Sequence, residues 1–173
     1  MCFSNSPDSL GVYHGDKIDV LFNLDINEWM GRKNVQLIVK DIKPSVSTTE
    51  MFEQEKKRFV EIWNGDSFSA DENLLPSRED FVAVYKFVVA ASRTGMDTFS
   101  HRELASKLSS GPEYINIGYV KLKIIIKVLQ ELNLLGIDEV EEETYKFTVR
   151  YSQKTNLEKS GLLRRLRNQQ KKA

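Results

Sequence analysis

The chain has 173 residues, of which 40% are apolar and 29% are charged, with 25 basic and 25 acidic side chains. This composition excludes wholesale disorder, and no apolar run is long enough to span a bilayer. The zero net charge hides an uneven distribution, because residues 46–80 carry 4 basic and 9 acidic side chains whereas residues 151–173 carry 7 and 1.

Two alternating apolar stretches come first. Apolar residues recur at every second position of residues 18–24 and 35–39 and so share one face of each stretch, which predicts two half-buried β-strands. The nine residues from Asp25 to Lys33 predict the connecting loop, since they include an asparagine and a glycine. A hairpin of this size is not stable alone in water. Its apolar face must therefore meet more sheet, the helix predicted over 49–64, or a second copy of the chain.

Helical patterns begin after Pro44. An apolar stripe predicts a helix from about Thr49 to Asn64, and a loop then leads to Ser77. Ser77 and Asp80 resemble a capping box, which predicts a second helix through about Ser92. The interior of this helix, FVAVYKFVVAA, is apolar nearly all round, so we expect it in the centre of a core.

The next segment has the pattern of a winged helix-turn-helix. Ser100 and Glu103 form an S-x-x-E capping box that opens a helix. The predicted elements, in order, are a strand at 98–99, a helix over 100–108, a helix over 119–134, and strands near 137–141 and 144–151. A short final helix is predicted within KTNLEKSGLLRRLRNQQKKA, with its leucines docked and its arginines solvated.

We therefore predict an α+β chain in which part of an OB-fold β-hairpin is followed by a helical linker and a winged helix-turn-helix-like domain. The predicted domains are an OB-fold remnant over 1–45, a helical connector over 46–76, a winged-helix-like domain over 77–152 and a basic tail over 153–173.

Motifs for catalysis are not found in the sequence. His14 and His101 do not have metal-ligand spacing, and there is no glycine-rich phosphate loop. We interpret His101 as a surface polar residue and the acidic run 141–143 as a solvated turn. The lone Cys2 cannot form an internal disulfide, and no secretory signal is recognisable, so we expect a cytoplasmic protein.

The stretch GDKIDVLFNLDINEWMGRKNVQLIVKDIKP carries a family resemblance. Its NEW-x-G-R turn followed by VQL-x-V-x-DI resembles the end of the OB-fold barrel in the single-strand-specific DNA exonuclease RecJ. The later SREDFVAVYKFV and the winged-helix pattern resemble the C-terminal extension of some RecJ proteins. The resemblance implies a C-terminal, non-catalytic part of a larger 5′-to-3′ exonuclease of DNA repair and recombination. Divalent metal, Mn or Mg, belongs to that family's DHH-type core, whose motifs this sequence lacks, so we expect no cofactor and no metal or catalytic residue here.

An aromatic plane beside cations suits single-stranded DNA, since the ring stacks a base and the cations hold phosphates. The candidate nucleic-acid-binding residues are Asn27, Trp29, Arg32, Lys33 and Lys40. The alternative is that Trp29 folds back to plug the end of the barrel while the cations are ordinary loop charges.

The winged-helix region leaves two functions open. Its third helix is very apolar and its wing is acidic, which favours a protein partner over a standalone regulator that binds duplex DNA. One partner suggested by the family is the acidic C-terminal tail of the single-strand-binding protein. The candidate partner-binding residues are Lys121, Lys123, Lys127, Arg164, Arg165 and Arg167.

Overall fold

The computed structural model describes residues 10–13, 15–110, 115, 117–150 and 155–171. Within it the chain forms two compact units, residues 1–52 and residues 53–173. The architecture is mixed α+β, as predicted, with two antiparallel sheets and five α-helices in the described ranges. The interpretations of Cys2 and His14 fall outside the described residues.

The first unit contains a long β-hairpin. Strand β1 (Ile18–Trp29) pairs antiparallel with strand β2 (Arg32–Pro44). The register shifts between Leu21 and Phe22, where Lys40 is the extra residue of a β-bulge. Helix α1 (Val46–Asn64) begins directly after the hairpin.

The second unit contains the remaining elements. In chain order they are β3 (Phe68–Ser69), a 3₁₀ turn (Ala70–Glu72), α2 (Arg78–Arg93), β4 (Thr98–Ser100), α3 (His101–Ser110), α4 (Tyr119–Glu131), β5 (Leu135–Glu141), β6 (Thr144–Val149), a 3₁₀ turn (Leu157–Lys159), α5 (Gly161–Gln169) and β7 (Gln170–Lys171). Strand β6 lies between β4 and β5 in a three-stranded antiparallel sheet, and β3 pairs with β7 in parallel. The predicted order of helix, short strand, helix, helix and hairpin is present, while its classification as a winged helix stays a prediction.

Local capping determines where the helices begin. The Ser77 side chain accepts the Asp80 amide at 3.2 Å, and Asp80 accepts the Ser77 amide in return, so the predicted capping box is confirmed. Ser100 likewise accepts the Glu103 amide at 3.1 Å. Each bond satisfies a backbone donor that a helix N-terminus would otherwise leave unpaired.

Two further helix N-termini are capped by carboxylates from distant parts of the chain. Gly118 provides no side-chain cap for α4, and Glu55 of α1 accepts the Tyr119 amide at 3.1 Å instead. Glu131 at the end of α4 accepts hydrogen bonds from the Ser160 hydroxyl and from the Gly161 amide at 2.9 Å. These carboxylates fix α1 and α5 to opposite ends of α4 and complement the positive ends of helix dipoles.

Helix α4 lies at the centre of the core of the second unit. Nine of its thirteen residues are buried. On α1, Phe59 contacts the Tyr119 ring at a centroid distance of 6.3 Å. Helix α5 buries Leu163 and Leu166, as predicted for docked leucines with exposed arginines. Gly161 occupies the first position of α5, where the cost of a glycine in a helix interior does not apply. Among the described residues, no helix is long and apolar enough to cross a membrane.

Candidate nucleic-acid interface

The hairpin tip is built by a two-residue turn. Met30 and Gly31 have φ angles of 50° and 76°, the positive values that a type I′ hairpin turn requires. Trp29 and Arg32 are therefore directly opposite each other, as the last cross-strand pair. The prediction of a nine-residue loop from Asp25 to Lys33 was wrong.

The strands continue through the predicted loop because its side chains pair across the ladder. The Gln36 side chain donates a hydrogen bond to Asp25 at 3.0 Å, and Lys33 lies 3.7 Å from Glu28. Ile26 is opposite Val35 in the same register. Such pairs stabilise an antiparallel ladder by roughly 0.2–1 kcal/mol each. They outweigh the turn preference of an isolated asparagine.

The tip separates the candidate residues between two faces. Since side chains alternate along a strand, Asn27, Trp29 and Arg32 share one face, while Lys33 lies on the other beside Glu28. Lys40 sits at the bulge, eight residues from Arg32 along β2. The structure thus brings three of the five candidates together and separates two.

Trp29 is open to solvent. Its side chain is 71% exposed, and it lies on the face opposite the apolar ladder of the hairpin. An exposed indole directly opposite a guanidinium is an arrangement that can stack a base and contact its phosphate. Both the stacking role and the alternative in which Trp29 plugs the end of a barrel stay predictions.

The charges of the hairpin are divided by strand. Strand β1 carries three acidic side chains and no basic one, a net charge of −3. Strand β2 carries four basic side chains and Asp41, a net charge of +3. Because neighbouring strands lie about 4.8 Å apart, these opposite charges largely compensate each other. Arg32 is the cation that the turn places directly opposite Trp29.

The six candidate partner-binding residues do not form one surface. Lys123 is only 7% exposed and points into the interior, so it is not accessible to a partner. Lys121 lies 3.8 Å from Asp80 and 3.4 Å from the Asn73 side chain. Lys127 is half-buried on α4.

The three arginines of α5 differ in their surroundings. Arg167 forms a 2.6 Å ion pair with Glu158, and the Arg165 guanidinium lies 4.9 Å from the centre of the Trp63 ring. Arg164 is exposed. Of the six candidates, only Arg167 lines a half-open cavity of about 520 Å³, which also includes Arg78, Phe81 and Leu163.

A buried polar cluster lies behind the turn between β5 and β6. Glu143 accepts hydrogen bonds from the Tyr119 hydroxyl at 2.8 Å and from Lys123 at 3.0 Å. Lys123 also donates to the Tyr145 hydroxyl. The rings of His101 and Tyr119 are tilted by 41° with their centres 4.3 Å apart, and His101 is 1% exposed. The interpretations of His101 as a surface residue and of the 141–143 turn as wholly solvated were wrong, because His101 packs against Tyr119 and Glu143 accepts a hydrogen bond from the inward-facing Lys123.

Burial and charge set the protonation of this cluster. Desolvation lowers the pKa of His101 to about 3, against the opposing influence of the nearby Glu143 carboxylate. Burial alone would raise the pKa of Glu143, but hydrogen bonds from Tyr119 and Lys123 outweigh it and lower that pKa. Desolvation raises the pKa of both Tyr119 and Tyr145. The sequence signal for the cluster was a lysine inside an otherwise apolar helix.

The described residues contain no group of three or more histidine, cysteine or acidic side chains placed to hold a metal ion.

A family model described as the RecJ OB domain matches residues 1–41. The match includes β1 and β2 as far as Asp41, and so contains the Trp29–Arg32 tip. Searches of the curated proteins and of the solved structures found no significant match to the chain. The opening region is thus similar to the RecJ OB domain, and this likeness suggests a nucleic-acid-binding role. The winged-helix assignment and the membership of a larger exonuclease stay predictions.

Proposed function

We propose that this chain is a non-catalytic region of a RecJ-like 5′-to-3′ single-stranded-DNA exonuclease, and that its hairpin tip binds single-stranded DNA. One observation carries the proposal: an exposed Trp29 lies opposite Arg32 within the region that matches the RecJ OB domain. In an OB-fold the loop between strands four and five helps to line the oligonucleotide groove. The turn between β1 and β2 corresponds to that loop in this proposal.

The position of each candidate residue on one face or the other of the hairpin indicates its role in binding. Trp29 stacks a base, Arg32 holds the adjacent phosphate, and Asn27 contacts the same strand, since all three share one face of the hairpin. Lys33 contributes through long-range charge only, because it lies on the other face beside Glu28. Lys40 at the bulge extends the basic strand toward the base of the hairpin.

The test uses the intrinsic fluorescence of Trp29. The chain has two tryptophans, so Trp63→Phe leaves Trp29 as the sole emitter. We expect an oligo-dT to quench this emission. With the anisotropy of a dye-labelled oligo-dT as the readout, we expect Trp29→Ala to weaken binding by about 5- to 150-fold, as loss of one stacked base costs about 1–3 kcal/mol. Arg32→Ala should reduce the log–log salt slope by about 0.7, the single-strand value for one phosphate.

Lys33→Ala is the matched control for Arg32→Ala. The two residues are adjacent in sequence but lie on opposite faces, so only the Arg32 variant should weaken binding by more than about threefold. Equal losses would show that the tip acts through general charge. Unchanged binding in both Trp29→Ala and Arg32→Ala would overturn the proposed interface.

A protein-docking role of the second unit is supported by the cavity that Arg167 lines. Its floor is formed by the buried Phe81 and Leu163. Its charged lining is Arg78, Arg167 and Glu158, the partner of Arg167, which leaves a net charge of +1. We propose this cavity as the place where the acidic tail of the single-strand-binding protein docks. Arg78→Ala should abolish amide shift changes caused by a peptide of that tail, whereas Arg164→Ala, outside the cavity, should not.

A standalone winged-helix regulator of duplex DNA is the competing function. It requires the third helix of the motif to present cations to a groove. Nine of the thirteen residues of α4 are buried, Lys123 among them. This observation favours protein docking. Tight, sequence-dependent duplex binding that survives Trp29→Ala would favour the regulator.

A further inference from the structure

Two asparagines lie on the face of the hairpin that carries Trp29 and Arg32. Asn27 is directly opposite Asn34, and this pair is the next one on that face, two residues along each strand from the Trp29–Arg32 pair. Both asparagines are exposed, and their side chains form no hydrogen bond with a described residue. The apolar ladder is on the opposite face. Since a barrel strand turns alternate residues inward and outward, the two carboxamides belong to the outer surface of an OB-fold barrel.

An acidic side chain restricts where a nucleic acid can cross this face. The pair that follows the two asparagines is Asp25–Gln36, in which the Gln36 side chain donates a hydrogen bond to the Asp25 carboxylate at 3.0 Å. Asp25 forms no ion pair with a described residue, so its charge repels a phosphate, whereas the equally unpaired Arg32 attracts one. A single strand that is held by Arg32 should therefore cross the hairpin at its tip, over the last two pairs of this face.

A carboxamide suits the edge of a base better than it suits a phosphate. It offers an acceptor oxygen and two N–H donors without a charge, and the Watson–Crick edge of every base presents a donor beside an acceptor. Rotation about the last side-chain bond of asparagine exchanges the positions of its donor and its acceptor. We propose that Asn27 and Asn34 bind the Watson–Crick edge of the base next to the one stacked on Trp29, whichever base it is. This inference rests on the proposed single-strand binding by Trp29 and Arg32.

Binding at the tip then has two contacts that can be measured separately. The Arg32 guanidinium contacts a phosphate, and every oligonucleotide carries phosphates along its whole length. The two asparagines contact a base edge, which an abasic position lacks. Loss of an asparagine should therefore weaken binding only where a base is present, whereas loss of Arg32 should weaken the binding of any strand.

The test compares dye-labelled oligo-dT with an abasic oligonucleotide of the same length, by anisotropy titration of the full chain. Low salt keeps the binding of the abasic strand measurable, because phosphate contacts are strongest there. Asn34→Ala and Asn27→Ala should each weaken the binding of oligo-dT by about two- to tenfold, the effect of one or two lost hydrogen bonds. Neither substitution should change the binding of the abasic strand. Arg32→Ala should weaken the binding of both oligonucleotides.

Asn23→Ala is the matched control. Asn23 is an exposed asparagine of the same strand and face, but it lies beyond Asp25, so its loss should not change the binding of either oligonucleotide. Oligo-dA and oligo-dC should lose affinity for Asn34→Ala by a factor comparable to that of oligo-dT, because the carboxamide fits every base edge. An unchanged circular-dichroism spectrum checks that each variant folds.

The outcomes separate this inference from the proposed function. Equal losses of oligo-dT and abasic binding in Asn34→Ala, an equal loss in Asn23→Ala, or an effect limited to one base would overturn the base-edge contact. Unchanged oligo-dT binding in both Asn27→Ala and Asn34→Ala would overturn it too, and the proposed function would stand if Trp29→Ala and Arg32→Ala still weaken binding. If neither of those two variants weakens binding, the proposed function fails and the base-edge contact fails with it.

Discussion

Replacing His101 with phenylalanine should flatten the dependence of the unfolding free energy on pH. The ring of His101 is 1% exposed, and neither ring nitrogen has a hydrogen-bond partner among the described residues. Burial lowers its pKa to about 3, whereas the ordinary value is 6.5. Between pH 6.5 and about pH 3 the His101 ring therefore binds a proton in the unfolded chain but not in the folded chain.

The sign follows from linkage. Because the folded-state pKa lies below the unfolded-state value, the contribution of His101 to stability is complete above pH 6.5 and is lost as the pH falls toward 3. At pH 5 the His101 ring of the folded chain is still almost wholly neutral. The loss of unfolding free energy at that pH is therefore determined by the unfolded-state pKa alone. That loss is about 2 kcal/mol relative to pH 7. The lowered pKa of Glu143 acts in the same direction, but only near and below its ordinary value of 4.5.

The assay is urea unfolding at pH 7 and pH 5, followed by far-ultraviolet circular dichroism. We expect the wild-type chain to lose about 2 kcal/mol more than His101→Phe between these two pH values. His14→Phe removes the only other histidine and should behave like the wild type. Equal losses in the wild type and His101→Phe would refute the reasoning. If the variant does not fold, a wild-type NMR titration decides, since the His101 ring resonance should not titrate above pH 5.

Three further predictions concern single contacts, each measured by urea unfolding. Glu131→Gln should cost about 1–2 kcal/mol, because it removes the charge that caps α5. Leu166→Ala should cost about 2–5 kcal/mol, since Leu166 is 1% exposed, whereas the exposed Arg164→Ala should cost under about 0.5 kcal/mol. Met30→Asn should stabilise the hairpin by a few tenths of a kcal/mol or more, because asparagine tolerates the positive φ of that turn position better; a loss of stability would contradict the assigned turn.

Patterns that depend on local physics were predictable from the sequence. The capping boxes at Ser77 and Ser100 gave helix starts that agree with the structure, since the cap and its partner are three residues apart. The docked leucines of α5 were visible as an apolar stripe. Helix ends were less accurate, with α4 ending at Glu131 rather than near residue 134.

Features that depend on contacts distant in sequence were not predictable. Strands β1 and β2 extend through the expected loop because cross-strand pairs such as Asp25–Gln36 stabilise them. The turn preferences of single residues do not indicate such pairs. The ring of His101 packs against Tyr119 and Tyr145, which are about 20 and about 40 positions further along the chain. In isolation, a polar residue next to a helix cap is indistinguishable from a surface residue.

The lysines of α4 are not placed to bind the phosphates of a nucleic acid. A helix that reads a DNA groove must keep its cations free of acidic partners on an open face. Here Lys121 lies beside Asp80, and Lys123 is buried against Glu143. Neutralising those carboxylates would leave buried lysines without partners rather than create an open cationic face. The charge available to a nucleic acid is instead on β2, beside an exposed indole, and this is why we assign single-strand binding to the hairpin and protein docking to the second unit.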